Sequence, residues 1–300
     1  MIALARFIMA GPSQAAVVAA VTALLAFILP PVAWLSGGVI ALVALHLGPA
    51  RGLQLIGYAG AASLLLGWLV MGTPLLVVGV ILLLWIPVWL AAVILRNSVS
   101  LSASLQAIMG FSVFLVLLLQ LGFPELQTLL QQEFANMLKP IIEQQAGTTQ
   151  RQELQLAVES VLVLLPGILV TGMMMGIMLS LLLGRWWQSV LYNPGGLAKE
   201  FNGLRLGRPL NLISSVLLLM ALFSASELAT MIVLLVLSLY LLQGIAVVHG
   251  VFELRKIAKG WLIGLYVMLL FIPHLVVLPL AVFGLSDTWV DFRNRLARTH

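Results

Sequence analysis

Long apolar stretches separated by short polar punctuation dominate the chain. Hydrophobic runs lie near 12–29, 32–49, 53–71, 74–95, 101–123, 160–183, 210–224, 227–252 and 261–284. Most approach the roughly 20 residues needed to cross a ~30 Å hydrocarbon core. Lipid offers the backbone no hydrogen bonds, so each run is expected to be helical. The short alternating segments of a β-barrel are absent. The pattern predicts an all-α fold, a polytopic transmembrane helix bundle in which residues 1–300 form a single integral membrane domain of eight or nine spans.

Tight punctuation marks helical hairpins. Pro30 and Pro31 separate the first two runs, Met71-Gly72-Thr73-Pro74 the third and fourth, and Ser224-Ala225-Ser226-Glu227 the seventh and eighth. The one long polar insertion is 124–159. Its first half puts Leu126, Leu130, Phe134, Met137 and Ile141 on one helical face and Gln127, Gln131 and Gln132 opposite. Such an amphipathic helix either lies on the membrane as a connector or caps the bundle as a lid.

Composition sharpens this picture. Of 300 residues, 62% are apolar and 8% charged, with a mean hydropathy of +1.15; soluble domains carry about 25% charged residues. The absence of cysteine removes disulfides and thiolate chemistry. A net charge of +5 would point to nucleic acid in a soluble protein. Here the basic residues sit between apolar runs and read as an orientation code, so no nucleic-acid partner is expected.

A cytoplasmic N-terminus, with Arg6 before a retained signal-anchor, puts Arg51, Arg96, the Arg185–Arg208 loop, Arg255, Lys256 and Lys259 inside. That accounts for ten of the fifteen basic residues, while 124–159, with five of the ten acidic ones, falls outside. The last run conflicts with the pattern. A single crossing would leave Arg293, Arg295 and Arg298 external, whereas a run broken or re-entrant at Pro273 or Pro279 would return the tail inside. Both readings stand on sequence alone.

Candidate chemistry is sparse. Ala15, Ala19 and Ala23 form a small-residue stripe suited to close helix approach, either inside the bundle or against a partner subunit. Gly172 and Gly176 flank three consecutive methionines and form a second such stripe. Those methionines point different ways around a helix and lack a neighbouring His, so no metal site is expected. Polar residues at membrane depth are functional candidates. Gln243, His249, Glu253, Glu227 and His274 qualify, with His249 and Glu253 spaced i, i+4 to pair; Gln106, Gln120 and His46 are weaker cases. Arg205 and Arg208 precede the seventh run and could hold lipid headgroups or a soluble partner. In the tail, Asp287, Asp291 and Arg295 would share a helical face beside Arg293, with Asp291 and Arg295 paired. No phosphate loop, dinucleotide fingerprint or His-Glu-x-x-His motif occurs, so neither enzymatic activity nor a cofactor is expected.

The Gln243–His249 segment, the basic Arg255–Lys259 loop, the closing Leu285–Arg293 stretch, the Arg205–Pro209 entry and the early Pro-rich hairpin resemble the YybS-like predicted integral membrane proteins of bacteria. The resemblance covers nearly the whole chain. That family has been grouped with the substrate-binding components of energy-coupling-factor transporters. The grouping implies a six-helix core that binds a small solute from outside, partnered by a membrane coupling subunit and ATPases. Small residues on the first helix dock that subunit, a role the resemblance extends to Ala15, Ala19 and Ala23. About three extra spans and the Gln-rich insertion depart from the pattern. The sequence thus leads to an inner-membrane transport protein or transporter component, with a membrane scaffold or assembly factor acting through protein partners as the alternative.

Overall fold

The computed structural model describes residues 1–72, 74–144, 148–224, 226–258 and 260–298. Thr73, Ala225 and Lys259, named above in two hairpins and a basic loop, lie outside the described residues. Among the described residues there are helices and no strands. The chain runs through α1 (Ile2–Met9), α2 (Pro12–Leu25), α3 (Ala33–Leu47), α4 (Pro49–Met71), α5 (Leu75–Val80), α6 (Ile86–Ser98) and α7 (Leu101–Leu117). It continues through α8 (Pro124–Glu143), α9 (Thr148–Tyr192), α10 (Gly196–Asn202) and α11 (Arg208–Phe223). The last elements are α12 (Glu227–Leu254), α13 (Gly260–Phe271), α14 (Pro273–Val290) and α15 (Phe292–Arg298). Among the described residues, seven helical stretches are long and apolar enough to cross a membrane; Pro12–Leu25, Arg208–Phe223 and Gly260–Phe271 are apolar but shorter.

Two apolar runs depart from a simple span. The run near 160–183 is the later part of α9, whose 45 residues reach about 68 Å at 1.5 Å per residue. Its first turns lie beyond the bundle and pack against α8, so the polar insertion is a helical hairpin rather than a lone surface helix. Leu130 and Phe134 of α8 are half-buried in it, whereas Leu126, Met137 and Ile141 of the predicted apolar face stay exposed. The run near 261–284 is broken. Proline lacks an N–H and disfavours helical geometry at the residue before it, and Ile272 (φ −134°, ψ 52°) ends α13 just ahead of Pro273.

The core runs along α3, α6, α7, α9 and α12. Lipid removes most of the hydrophobic drive for helix association, so close packing must supply it. Glycines mark the two tightest crossings. A Cβ on Gly184 of α9 would fall 2.4 Å from the Ala41 Cβ of α3, and one on Gly244 of α12 would fall 2.0 Å from the Leu280 carbonyl oxygen of α14. The anticipated Gly172–Gly176 seam is not one. A Cβ at Gly172 meets nothing within 4 Å, and at Gly176 it would make an ordinary contact with Trp34.

The first helices form a second core around Trp85 and Trp187. Ala15, Ala19 and Ala23 are buried in it, Ala19 completely. The Trp85 Nε1–H donates to Ser36 Oγ at 2.8 Å, and that hydroxyl donates to the Ala19 carbonyl at 2.8 Å. The alanine stripe is therefore an internal seam. Its small side chains let α3 and α4 approach α2, and no face of it is left for a separate subunit.

Candidate functional site

Most of the polar candidates gather where the loops preceding α4, α7, α11 and α13 meet, called here the loop end. Arg96 Nη1 donates to the His46 carbonyl at 3.0 Å, and the His46 ring stacks on Tyr192 with centroids 3.6 Å apart. Gln106 Nε2 donates to the Leu206 carbonyl at 3.0 Å. These contacts tie α3, α6, α7, α9 and the chain ahead of α11 to one end of the bundle.

Gln243 is the hub of that end. Buried in α12, it accepts from the Leu206 backbone N–H at 3.1 Å and donates to the Gly284 carbonyl at 2.6 Å. A buried amide with both ends engaged fixes its neighbours, because leaving either unpaired would cost about 1–3 kcal/mol. Gln243 thus clamps the 203–207 loop to α14 and acts as a positioning residue. The Gly244–Gly284 crossing beside it brings the α14 carbonyl within reach.

The tail completes the end. Asp291 adopts a left-handed conformation (φ 53°, ψ 56°) that stops α14, so Asp287, Asp291 and Arg295 do not share one continuous helix. The expected Asp291–Arg295 pairing gives way to other partners. Arg205 Nη2 donates to Asp291 Oδ1 at 2.7 Å, and Arg293 Nη2 donates to Asp287 Oδ2 at 2.7 Å. Arg293 also donates to the Leu204 carbonyl at 2.8 Å and the Asn202 carbonyl at 2.6 Å. Partial burial of Asp291 works against its ionisation. Hydrogen bonds from Asn294 and the charge of Arg205 outweigh it and hold the carboxyl below its ordinary value. Because α13 starts beside the end of α12 and Arg293 returns to Gly250 and Asn202, the α13–α14 pair begins and ends at the loop end. The conflict over the last run is resolved in favour of the returning tail.

Next to this latch lies a cleft of about 820 Å3 between α9, α10, α12 and α13. Apolar walls come from Leu182, Trp186, Leu197 and Leu262, and polar groups from Asn202, His249, Glu253 and Tyr266. His249 Nε2 and the Tyr266 hydroxyl share a hydrogen bond of 2.8 Å, and Phe201 meets the imidazole edge-on at 5.8 Å. The expected His249–Glu253 pair does not form. His249 turns to α13, while Glu253 accepts from the Asn202 amide of α10. Both residues nonetheless line the same cleft.

Glu227 and His274 are elsewhere. Glu227 is exposed in the first turn of α12, about 33 Å along that helix from His249, where its charge suits the helix dipole. His274 is exposed at the start of α14. Arg208 is exposed at the start of α11, outside the Arg205 network. Tyr266 and Asn202 escaped the sequence reading, though Tyr266 carries the only side-chain hydroxyl in the α13 run GWLIGLYVMLLF. Among the described residues no group of three or more His, Cys, Asp or Glu could hold a metal ion.

A family model described as a predicted membrane protein (DUF2232) matches residues 17–288. The chain belongs to that family. The match spans Gln243, the cleft and Asp287, and stops short of Asp291 and Arg293. No curated protein and no solved structure matches the chain.

Proposed function

We propose that this DUF2232 protein binds a small solute in the loop-end cleft and serves as an inner-membrane transport protein or transporter component, with its N-terminus and loop end cytoplasmic. The observation that carries this reading is the cleft itself. Its volume falls in the range of about 300–1,000 Å3 usual for small-ligand sites, with mostly apolar walls and a few converging polar groups. The distribution of Arg and Lys supports the orientation. The role is binding rather than catalysis. Kinship with YybS-like proteins and with energy-coupling-factor components would supply a coupling subunit and ATPases as partners. Such a subunit would dock on a face other than the buried Ala15–Ala23 seam.

The α8–α9 hairpin favours a second reading, a scaffold acting through protein partners, because Leu126, Leu129, Met137 and Ile141 are exposed on it. Purification in a mild detergent separates the two. Co-purifying ATPases, and a small molecule that is lost from Leu262→Trp, support transport. An empty cleft together with stable partners lost on Met137→Glu would replace transport with scaffolding.

A further inference from the structure

The charges in the cleft come as one of each sign. Among the described lining residues, Glu253 is the one carboxylate and Lys256 the one ammonium. Three positions apart, they sit where α12 ends and the chain turns, with Lys256 in a left-handed conformation (φ 51°). Glu253 belongs to the last turn of α12 and Lys256 lies just past its end, so both charges line the same mouth of the cleft. Asn202 holds the Glu253 carboxylate from α10, and a carboxylate has room for further donors. Phe201, Phe252 and Tyr266 line the same cleft, and aromatic faces attract cations. Trp186, Leu197 and Leu262 add an apolar wall, and one face of α13 exposes Ile263, Val267 and Leu270.

We propose that the cleft binds a zwitterionic amphiphile, with its cationic group at Glu253, its anionic group at Lys256 and its apolar chain along Trp186, Leu197 and Leu262. This rests on the reading of the cleft as the ligand site and specifies its ligand class. A purely anionic head would satisfy Lys256 and face Glu253 with like charge; a purely cationic head would do the reverse. A neutral head would leave both charges without a ligand partner. Only a dipolar head answers both, which gives selectivity by repulsion as well as attraction.

The test uses the full chain in an uncharged maltoside detergent, read by native mass spectrometry. Three probes share one acyl chain: a phosphoethanolamine lysolipid, a phosphoglycerol lysolipid and a monoacylglycerol. The zwitterionic probe is expected to bind about tenfold more tightly than either other, a difference of about 1.4 kcal/mol. Glu253→Gln should abolish its advantage over the phosphoglycerol probe. Lys256→Gln, at an exposed turn that tolerates substitution, should weaken both phosphate-bearing probes and spare the monoacylglycerol. Chainless phosphoethanolamine as competitor distinguishes the source: competition at equal concentration identifies a soluble zwitterion and removes the amphiphile, whereas its failure supports a lipid. Equal binding of all three probes, still blocked by Leu262→Trp, would overturn the head assignment and leave the cleft as a ligand site. Insensitivity of every probe to Leu262→Trp would overturn both.

Discussion

The Asp287 carboxylate and the Arg293 guanidinium meet at 2.7 Å with side chains only 1% and 6% exposed, across the left-handed turn that ends α14. Removing one member of a buried pair strands the other, at a typical cost of about 3–5 kcal/mol. Arg293→Ala is therefore expected to lower the melting temperature in detergent and to make the tail susceptible to protease. Arg293→Lys should rescue little, because a single ammonium cannot reproduce the guanidinium fork that reaches Asp287 and the Asn202 and Leu204 carbonyls. A melting temperature unchanged by Arg293→Ala would show that the latch contributes nothing to the fold.

The glycine crossings predict opposite outcomes for one kind of substitution. Gly284→Ala would drive a Cβ to 2.3 Å from the Tyr240 carbonyl oxygen, a backbone atom that cannot swing away. Overpacking of this kind costs about 1–3 kcal/mol, so the variant should melt lower and lose the α12–α14 contact. Gly172→Ala meets open space within 4 Å and should be neutral or stabilising by up to about 1 kcal/mol, from helix propensity. Equal melting temperatures for the two variants would contradict the crossing.

What the sequence made legible follows from which physical signals are local. Apolar length marked the helices, and the Arg and Lys pattern grouped the loops that Arg96, Gln106 and Asn202 bring together. Proline acts on its immediate neighbour, so the sequence offered a break at Pro273 or Pro279 beside a plain crossing; the chain breaks at Pro273, while Pro279 sits inside α14. Partnership was not readable. Spacing put His249 over Glu253, but a hydrogen bond to Tyr266 on another helix won. Small residues announce close approach without saying to what, so the alanine stripe and the Gly172–Gly176 pair looked alike. One proved buried and the other open. Gln243 was found as a polar residue at membrane depth, yet its loop and helix partners are 37 and 41 residues away in sequence.

Ala19→Leu tests the buried seam directly. The Ala19 side chain has no exposed surface, and its carbonyl terminates the Trp85–Ser36 hydrogen-bond chain. The added bulk must separate α2 from α3, so the purified variant is expected to aggregate or melt markedly lower. A fully stable variant that fails only to bind another protein would restore the stripe as a docking face.

The Arg205–Asp291 link has a definite pH sense. The Asp291 carboxyl is held below its ordinary value when folded, so its contribution is complete above the unfolded value of about 3.9. It is lost as the pH falls through the lower, folded value. Detachment of the tail in wild type should therefore begin only in acid. Asp291→Asn should loosen the tail at neutral pH and remove the part of that acid transition carried by the Arg205 link, leaving the Asp287–Arg293 latch in place. Protease accessibility of the tail against pH reads both; a wild-type transition near neutrality would refute the assignment.

Topology gives the widest test, because it joins the sequence pattern to the returning tail. Positions 98, 200 and 257 lie at or beside the loop end, where Arg96 meets His46, Glu253 meets Asn202 and Arg293 meets Leu204. Reporter fusions at all three should read cytoplasmic, and one near 145 should read external. The deciding fusion follows residue 298. A single crossing by the last run would put it outside. The α13 break at Ile272 and the contacts of Arg293 with Asn202 and Leu204 bring it back beside position 200. It should therefore read cytoplasmic, and Arg293→Ala should leave that reading unchanged, because the break at Pro273, rather than the latch, turns the chain around. An external reading at 298 with a cytoplasmic one at 200 would mean that the last run crosses once and that the latch cannot form in the membrane.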